Sequence, residues 1–411
     1  MGPMLPSRRH ARVAAAAVVV LAGLRTPAAA QEAAPPVSRA AQIEQAQVEK
    51  SRNLIPYGPG KAERIFDNLE ESFLTGRIHL HPFFDSAYAG GGFTLGAGYA
   101  THVSSYNVVD LRGSFTVKGY RRFEAAFLAP RLFDRRGVLT TIGGWREATQ
   151  VGFYGTGSEN TSVDDRANYG FTEPYASAAL DFWPTRKLFV LGGGIEVATR
   201  DQGPGEGSAP SVDEVYTEAT LSGLNASPTY VHTQASVGLD SRPSAGYARH
   251  GGLYRVTFHD YRDTDRDFGF RQTDYEAIQH IPVLRDTWVL SLHGRLELAN
   301  AARDQTIPFF MLPALGGGSS LRGFASWRFR DVNSLLLQAE WRVLVNRFLD
   351  LGLFYDAGRV ARNRSDLTDG PLKSDYGFGF RFHGPLATPL RIELAKSNEG
   401  LALVFSAKAS F

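Results

Sequence analysis

From Gly76 to Phe411 the chain falls into segments in which residues of one face alternate one by one with residues of the other. Residues 348–358 read FLDLGLFYDAG, with Leu349, Leu351, Leu353 and Tyr355 on one face and Asp350, Gly352 and Asp356 on the other. Leu335, Leu337, Ala339, Trp341 and Val343 alternate with Leu336, Gln338, Glu340 and Arg342. Tyr376, Phe378, Phe380 and Phe382 alternate with Gly377, Gly379, Arg381 and His383. The same beat carries Leu390, Ile392 and Leu394 against Arg391 and Glu393, and runs from Leu401 to Phe411. A period of two belongs to strands, whose successive side chains leave on opposite faces. This part of the chain is therefore all-β.

Alternation alone also describes a soluble sandwich with one wet face. Three features favour a membrane barrel. The apolar face is rich in aromatics, the other face holds full charges, and an aromatic strand ends the sequence with nothing to cover it. A soluble sheet would blunt or cover such an edge, whereas in a bilayer spanning strands must close so that every amide is paired. Sixteen segments are expected: 76–88, 91–101, 105–117, 118–130, 137–155, 168–183, 187–199, 229–241, 250–262, 268–281, 285–299, 331–345, 347–358, 373–384, 388–397 and 400–411. An even number, with long loops at 156–167, 200–228, 300–330 and 359–372 and short turns such as Trp183-Pro184 and Gly384-Pro385, suits a bacterial antiparallel transmembrane barrel.

The N-terminus reads differently. Arg8, Arg9 and Arg12 precede a short apolar core, Val13 to Gly23, and Ala28-Ala29-Ala30 offers a cleavage site before Gln31. Residues 1–30 are thus expected to be a signal peptide, an uncleaved anchor being the alternative. Residues 31–75 are polar and helix-prone, with Ile65, Phe66, Leu69 and Phe73 at helical spacing. They are expected to form a periplasmic helical leader, or a linker, before the barrel at 76–411. Composition narrows the function. With 44 Lys+Arg against 42 Asp+Glu, the net charge of +2 does not suit a nucleic-acid binder. The absence of cysteine removes disulfides, thiolate metal sites and a cysteine nucleophile.

One loop carries a motif. After the eleventh segment comes Leu315-Gly316-Gly317-Gly318-Ser319-Ser320-Leu321-Arg322-Gly323-Phe324, whose glycine run permits a tight fold. By parity Glu340, Asp356, Arg381, Arg391 and Glu393 face the lumen. A guanidinium on an inward-folded loop can meet such carboxylates in bidentate fashion, which lysine does poorly. Ordinary lumen charges in a water-filled pore are the plainer alternative. Here the sequence resembles the BamA/TamA-type outer-membrane assembly factors, also called bacterial surface antigen proteins, whose hallmark loop tip is matched by Leu321-Arg322-Gly323-Phe324. The likeness extends through Ala339-Glu340-Trp341-Arg342, Phe354-Tyr355-Asp356-Ala357-Gly358, Phe378-Gly379-Phe380-Arg381 and the terminal Phe411. Asp240 to Gly251, around Arg242, resembles the family's periplasmic turn after strand eight.

The resemblance implies that Arg322 docks on Glu340 and Asp356, with Gly323 letting the backbone turn beneath Phe324. It implies an outer-membrane location, outer-membrane lipid as surroundings and unfolded outer-membrane proteins as clients. It also implies a lateral seam between the first and last strands. Pro82 in the first strand and Phe411 at the end of the last would mark that seam, because proline donates nothing to a ladder; a simple bulge is the other reading of Pro82. The family's periplasmic POTRA modules are each larger than the leader, so the chain reads as lacking them. His79 and His81 share a face, yet no third ligand accompanies them. Gly192-Gly193-Gly194 lacks the strand-turn-helix setting of a phosphate loop, and no GxSxG elbow occurs. No enzyme, metal or cofactor is expected. The function expected is protein insertion or translocation; a passive channel, and an adhesion or structural barrel acting through loop 200–228, are the alternatives. Oligomeric state leaves no mark on the sequence.

Overall fold

The computed structural model describes residues 79–159, 162–185, 188–284, 287–406, 409 and 411. The signal peptide and the helical leader fall outside these residues. The strands are β1 (Leu80–Pro82), β2 (Thr94–His102), β3 (Val108–Thr116), β4 (Arg121–Arg131), β5 (Gly137–Phe153), β6 (Ala167–Phe182), β7 (Leu188–Thr199) and β8 (Thr229–Asp240). They continue as β9 (Gly251–Asp263), β10 (Phe270–Leu284), β11 (Trp288–Ala301), β12 (Asn333–Asn346), β13 (Leu349–Ala361), β14 (Lys373–Phe382), β15 (Leu390–Ser397) and β16 (Gly400–Ser406). Each pairs antiparallel with the next. The sheet has 17 strand segments, because Asp201–Pro204 prolongs β7 along β6 beyond Arg200; sixteen staves make the wall.

The two faces of the wall are inverted relative to a water-soluble protein. Leu353, Tyr355, Tyr376, Phe378, Phe380, Leu403 and Phe405 are exposed, while Glu124, Glu173, Glu340, Asp356, Arg381, Arg391 and Glu393 are buried. Apolar outside and charged inside is the arrangement of a barrel in lipid. Burial of the charges comes from contacts across the interior, which also show that the sheet curls back on itself. Ser158, between β5 and β6, bonds the Val360 carbonyl of β13 at 3.0 Å, and Trp327, between β11 and β12, donates to the Ala89 carbonyl at 2.8 Å.

At the long-loop end, four connections share an apolar core. Ala87, Phe153, Tyr169, Phe171, Phe309 and Phe310 pack there together with Val212, Leu221 and Leu224 of the 205–228 loop. Trp327 stacks on Tyr88 with ring centroids 4.4 Å apart. Within the 200–228 loop, through which an adhesion or structural barrel would act, Val212, Leu221 and Leu224 are drawn inward over the barrel mouth.

Both ends of the wall depart from the sequence reading. The first strand was expected over 76–88, yet among the described residues its ladder holds three, Leu80–Pro82. Beyond Pro82 the chain leaves the wall and lies over β2–β4, because the interior charges there hold it. The Arg112 guanidinium sits 4.9 Å from the centre of the Phe83 ring, and Arg122 donates to Asp85 at 3.2 Å. The last strand was expected to run to Phe411, with that residue at the seam. Its described ladder ends at Ser406. The Phe411 ring lies instead 5.0 Å from that of His293 and 6.3 Å from that of His280, on the interior face of β11 and β10. Two imidazole faces there give the aromatic ring a stacked position that the seam does not offer.

Candidate functional site: a loop arginine held in the lumen

The connection from β11 to β12 enters the barrel as a folded hairpin. Ala314–Leu315 pairs with Phe329–Arg330, and Gly316 and Gly317 turn the chain at φ values of +117° and +93°. Such backbone is open to glycine and strained for other residues. The Gly317 amide donates to the Leu321 and Phe324 carbonyls, both at 3.1 Å, and closes the tip. Leu321 and Phe324 anchor it from below in an apolar cluster with Leu315, Phe329, Leu336 and Val360.

That anchoring aims Arg322 at the wall. Its Nε donates to Asp356 Oδ2 and its Nη2 to Asp356 Oδ1, both at 2.7 Å, a bidentate fork. Nη1 reaches Glu340 Oε2 at 3.1 Å and Glu393 Oε1 at 2.9 Å. The guanidinium lies 3.5 Å from the centre of the Phe354 ring, a cation–π contact that caps its remaining face. The side chain is wholly buried. Three carboxylates around one cation would repel each other, and the wall supplies balancing charges. Arg381 donates to Glu340 and, at 2.7 Å, to Glu393; Arg391 lies 3.2 Å from Glu393 and donates to the Gly318 carbonyl at 2.9 Å. Gln338 ties the tip down by donating to the Ser320 carbonyl at 2.8 Å.

Absent side chains make room for these large ones. A Cβ on Gly352 would sit 1.8 Å from Arg381 Nη1, one on Gly379 2.5 Å from Glu393 Cγ, and one on Gly377 2.5 Å from Phe354 Cζ. Gly323 belongs to the same set. The resemblance suggested that it lets the backbone turn, but it has no positive φ. A Cβ there would instead stand 2.6 Å from Asp375 Cβ, and Ser397 donates to the Gly323 carbonyl at 2.7 Å.

The structure thus brings together Leu321, Arg322, Gly323 and Phe324 with Glu340 and Asp356. It keeps Pro82 on β1 and places Phe411 elsewhere, in the interior. Glu393, Gln338 and Phe354 complete the Arg322 cage. Parity marks all three as lumen-facing, and only their distance from the loop tip was hidden. His79 and His81 are engaged with protein groups. His81 Nε2 is 2.9 Å from Asp110, and His79 Nδ1 is 2.9 Å from the Ala100 carbonyl. Among the described residues no group of three or more His, Asp or Glu is placed to hold a metal ion.

A second interior contact comes from the β8–β9 turn. Arg242 grips Asp240 through two 3.0 Å bonds. Tyr247 then reaches inward, donating to Asp350 Oδ2 at 2.8 Å and stacking on His383 at 3.9 Å. Burial, aided by the Asp350 charge, raises the Tyr247 phenol above its ordinary value, which keeps it a neutral donor.

Comparison with known proteins agrees with this architecture. Residues 236–400 match the Omp85 superfamily domain. No curated protein sequence matches the chain. Among solved structures, BamA from Haemophilus ducreyi lacking POTRA domains 1–3 aligns with a TM-score of 0.57 at 15% identity, over 79% of this chain and 67% of that one. CdiB from Escherichia coli aligns with a TM-score of 0.52 at 14% identity, over 80% of this chain and 59% of that one. At such identities the structural likeness speaks for the fold, and the chain spans about three fifths to two thirds of these relatives. The matched domain begins in β8 and ends at the first residue of β16, so it contains the Arg322 loop and every charged residue that holds it. The chain is an outer-membrane β-barrel that carries an Omp85 superfamily domain over residues 236–400.

Proposed function

We propose that this barrel inserts or translocates polypeptides at the outer membrane, through the seam between β1 and β16, with unfolded outer-membrane proteins as clients. The observation that carries this reading is the mismatch between the two edges. The three residues of β1 include Pro82, which has no amide to donate, whereas β2 and β16 offer nine and seven residues. A short, donor-poor edge makes β1 a weak partner for β16, one that an incoming strand can replace, as in β-augmentation. The interior supports the same reading over a passive channel. A lumen entered by the Arg322 hairpin from one end and by Tyr247 from the other is poorly suited to large, steady conductance.

Deletion of the gene followed by quantification of folded outer-membrane proteins tests the proposal. The expected result is a selective loss of other barrels, restored by the native chain but not by a version with cysteines locking β1 to β16. The lock is clean because the chain has no cysteine of its own. An unchanged proteome overturns the proposal, and large conductance indifferent to Arg322 would establish the channel.

A further inference from the structure

The β4–β5 turn differs from the rest of the short-turn end, which in outer-membrane barrels faces the periplasm. Phe133, Asp134 and Arg135 have φ values of +50°, +56° and +66°. Left-handed backbone is unfavourable for Phe and Arg and tolerated by Asp, and here it occurs three times in succession. Phe133 is turned out of the barrel, 57% exposed, with its ring edge-on to Phe182 at 5.7 Å. Arg135 stands exposed beside it.

The charges around this turn are also unusual. Arg112, Arg122, Arg146 and Arg200 in the same half of the barrel each hold a carboxylate. Among the described residues Arg131, Arg135 and Arg136 hold none. Arg131 rests over the Tyr106 ring of the β2–β3 turn at 3.7 Å, and Arg136 spends its Nε on the Phe133 carbonyl at 3.2 Å. Asp134 is the one acid in the turn, and it is exposed. Three arginines of this short turn therefore flank an outward phenylalanine, where Tyr106 and Phe182 mark the aromatic girdle at the membrane boundary. Water would solvate the arginines but gives no reason to expose Phe133 on strained backbone. A lipid satisfies both, through a phosphate for the cations and acyl chains for the ring.

We propose that the β4–β5 turn binds the phosphate headgroup of an anionic phospholipid in the periplasmic leaflet, through Arg131, Arg135 and Arg136, with Phe133 seated among its acyl chains. The chemistry is local to this turn and does not depend on the seam.

Native mass spectrometry of the full chain, in nonionic micelles supplied with equal phosphatidylglycerol and phosphatidylcholine, tests it. Phosphatidylglycerol should be retained preferentially. Arg135→Gln should weaken that retention about five-fold, the usual weight of one cation near a charged membrane surface. Combined Arg131→Gln, Arg135→Gln and Arg136→Gln should abolish the preference while leaving heat-modifiable migration unchanged. Arg135 makes no contact that folding needs, so the single variant decides the matter if the triple one misfolds. Arg303→Gln, on a distant loop, should change nothing. Equal retention of the two lipids, or a preference that survives Arg135→Gln, overturns the proposal. Displacement by millimolar inorganic phosphate overturns it as well, because a free anion would then account for the site.

Discussion

Two interior charge clusters hold this barrel, and they are built on different principles. In the N-terminal half Glu124 is gripped by Arg112 at 2.7 Å and Arg122 at 2.6 Å, and Glu173 by Arg146 at 2.6 Å and Arg200 at 2.5 Å. Arg112 faces Glu124 directly across the β3–β4 ladder, as Arg146 faces Glu173 across β5–β6. Strand register makes those contacts. In the C-terminal half the central cation arrives on a loop, and its partners come from β12, β13 and β15. A cross-strand pair forms whenever its two strands do. A loop-borne cation forms its pairs only when a separate element has folded and entered, so its contacts report the state of that element. The Omp85 match covers the second cluster and not the first.

The largest effect that can break this contrast is expected at Arg322. Arg322→Ala leaves Asp356, Glu340 and Glu393 buried without their shared cation, which typically costs about 3–5 kcal/mol. The hairpin tip should become protease-sensitive and heat-modifiable migration should shift; unchanged behaviour in both would remove the docking argument. Arg322→Lys should rescue little, since an ammonium cannot reproduce the fork on Asp356. Next in size is Gly323→Ala, whose new methyl meets Asp375. Overpacking of this kind costs about 1–3 kcal/mol, and the loop should loosen in limited proteolysis with strand content by circular dichroism preserved.

Glu124→Gln is the counterpart in the other half. Arg112 and Arg122 keep Asp110 and Asp85 as neighbours, so a loss of about 1–3 kcal/mol is expected. Overall stability in denaturant should fall while the Arg322 hairpin stays resistant; a hairpin that opened in this variant would show the clusters to be coupled. The smallest effect is expected at Arg303, whose ion pair with Asp304 is almost fully exposed. Arg303→Gln should leave denaturant midpoint and proteolysis unchanged.

What could be read beforehand follows the same division. The wall was legible because alternation is a local property, and the faces assigned to Leu353 and Asp356, or to Phe380 and Arg381, stand as read. The loop motif singled out Arg322, and likeness to a family suggested Glu340 and Asp356 beside it. Glu393 was placed in the lumen by parity but not on Arg322, because its 71-residue separation is closed only by the approach of β15 to the hairpin tip. The early end of β1 was hidden for a similar reason. Pro82 was visible, but the pull of Arg112 and Arg122 on Phe83 and Asp85 depends on neighbours that only the curled sheet supplies. Phe411 kept the alternating beat in sequence and still left the wall, since periodicity says nothing about where a ladder ends. The strained β4–β5 turn was unreadable, as Phe and Arg carry no signal for left-handed backbone and a single Asp is too common in other settings to mark it.

The inverted wall has a consequence for how such a chain reaches its destination. A protein bound for an outer membrane must first pass through an inner one, whose export machinery retains any segment greasy enough to stop there. Among the described residues no helix is long and apolar enough to cross a membrane. The belt of Tyr355, Tyr376, Phe378 and Phe405 is dispersed along the chain, every aromatic diluted by a polar neighbour or by glycine. Nothing in it resembles a stop signal to machinery that reads about 20 residues at a time. The greasy surface is written in instalments and exists only once the strands stand side by side, so the chain can travel as a polar polymer and become a membrane protein on arrival.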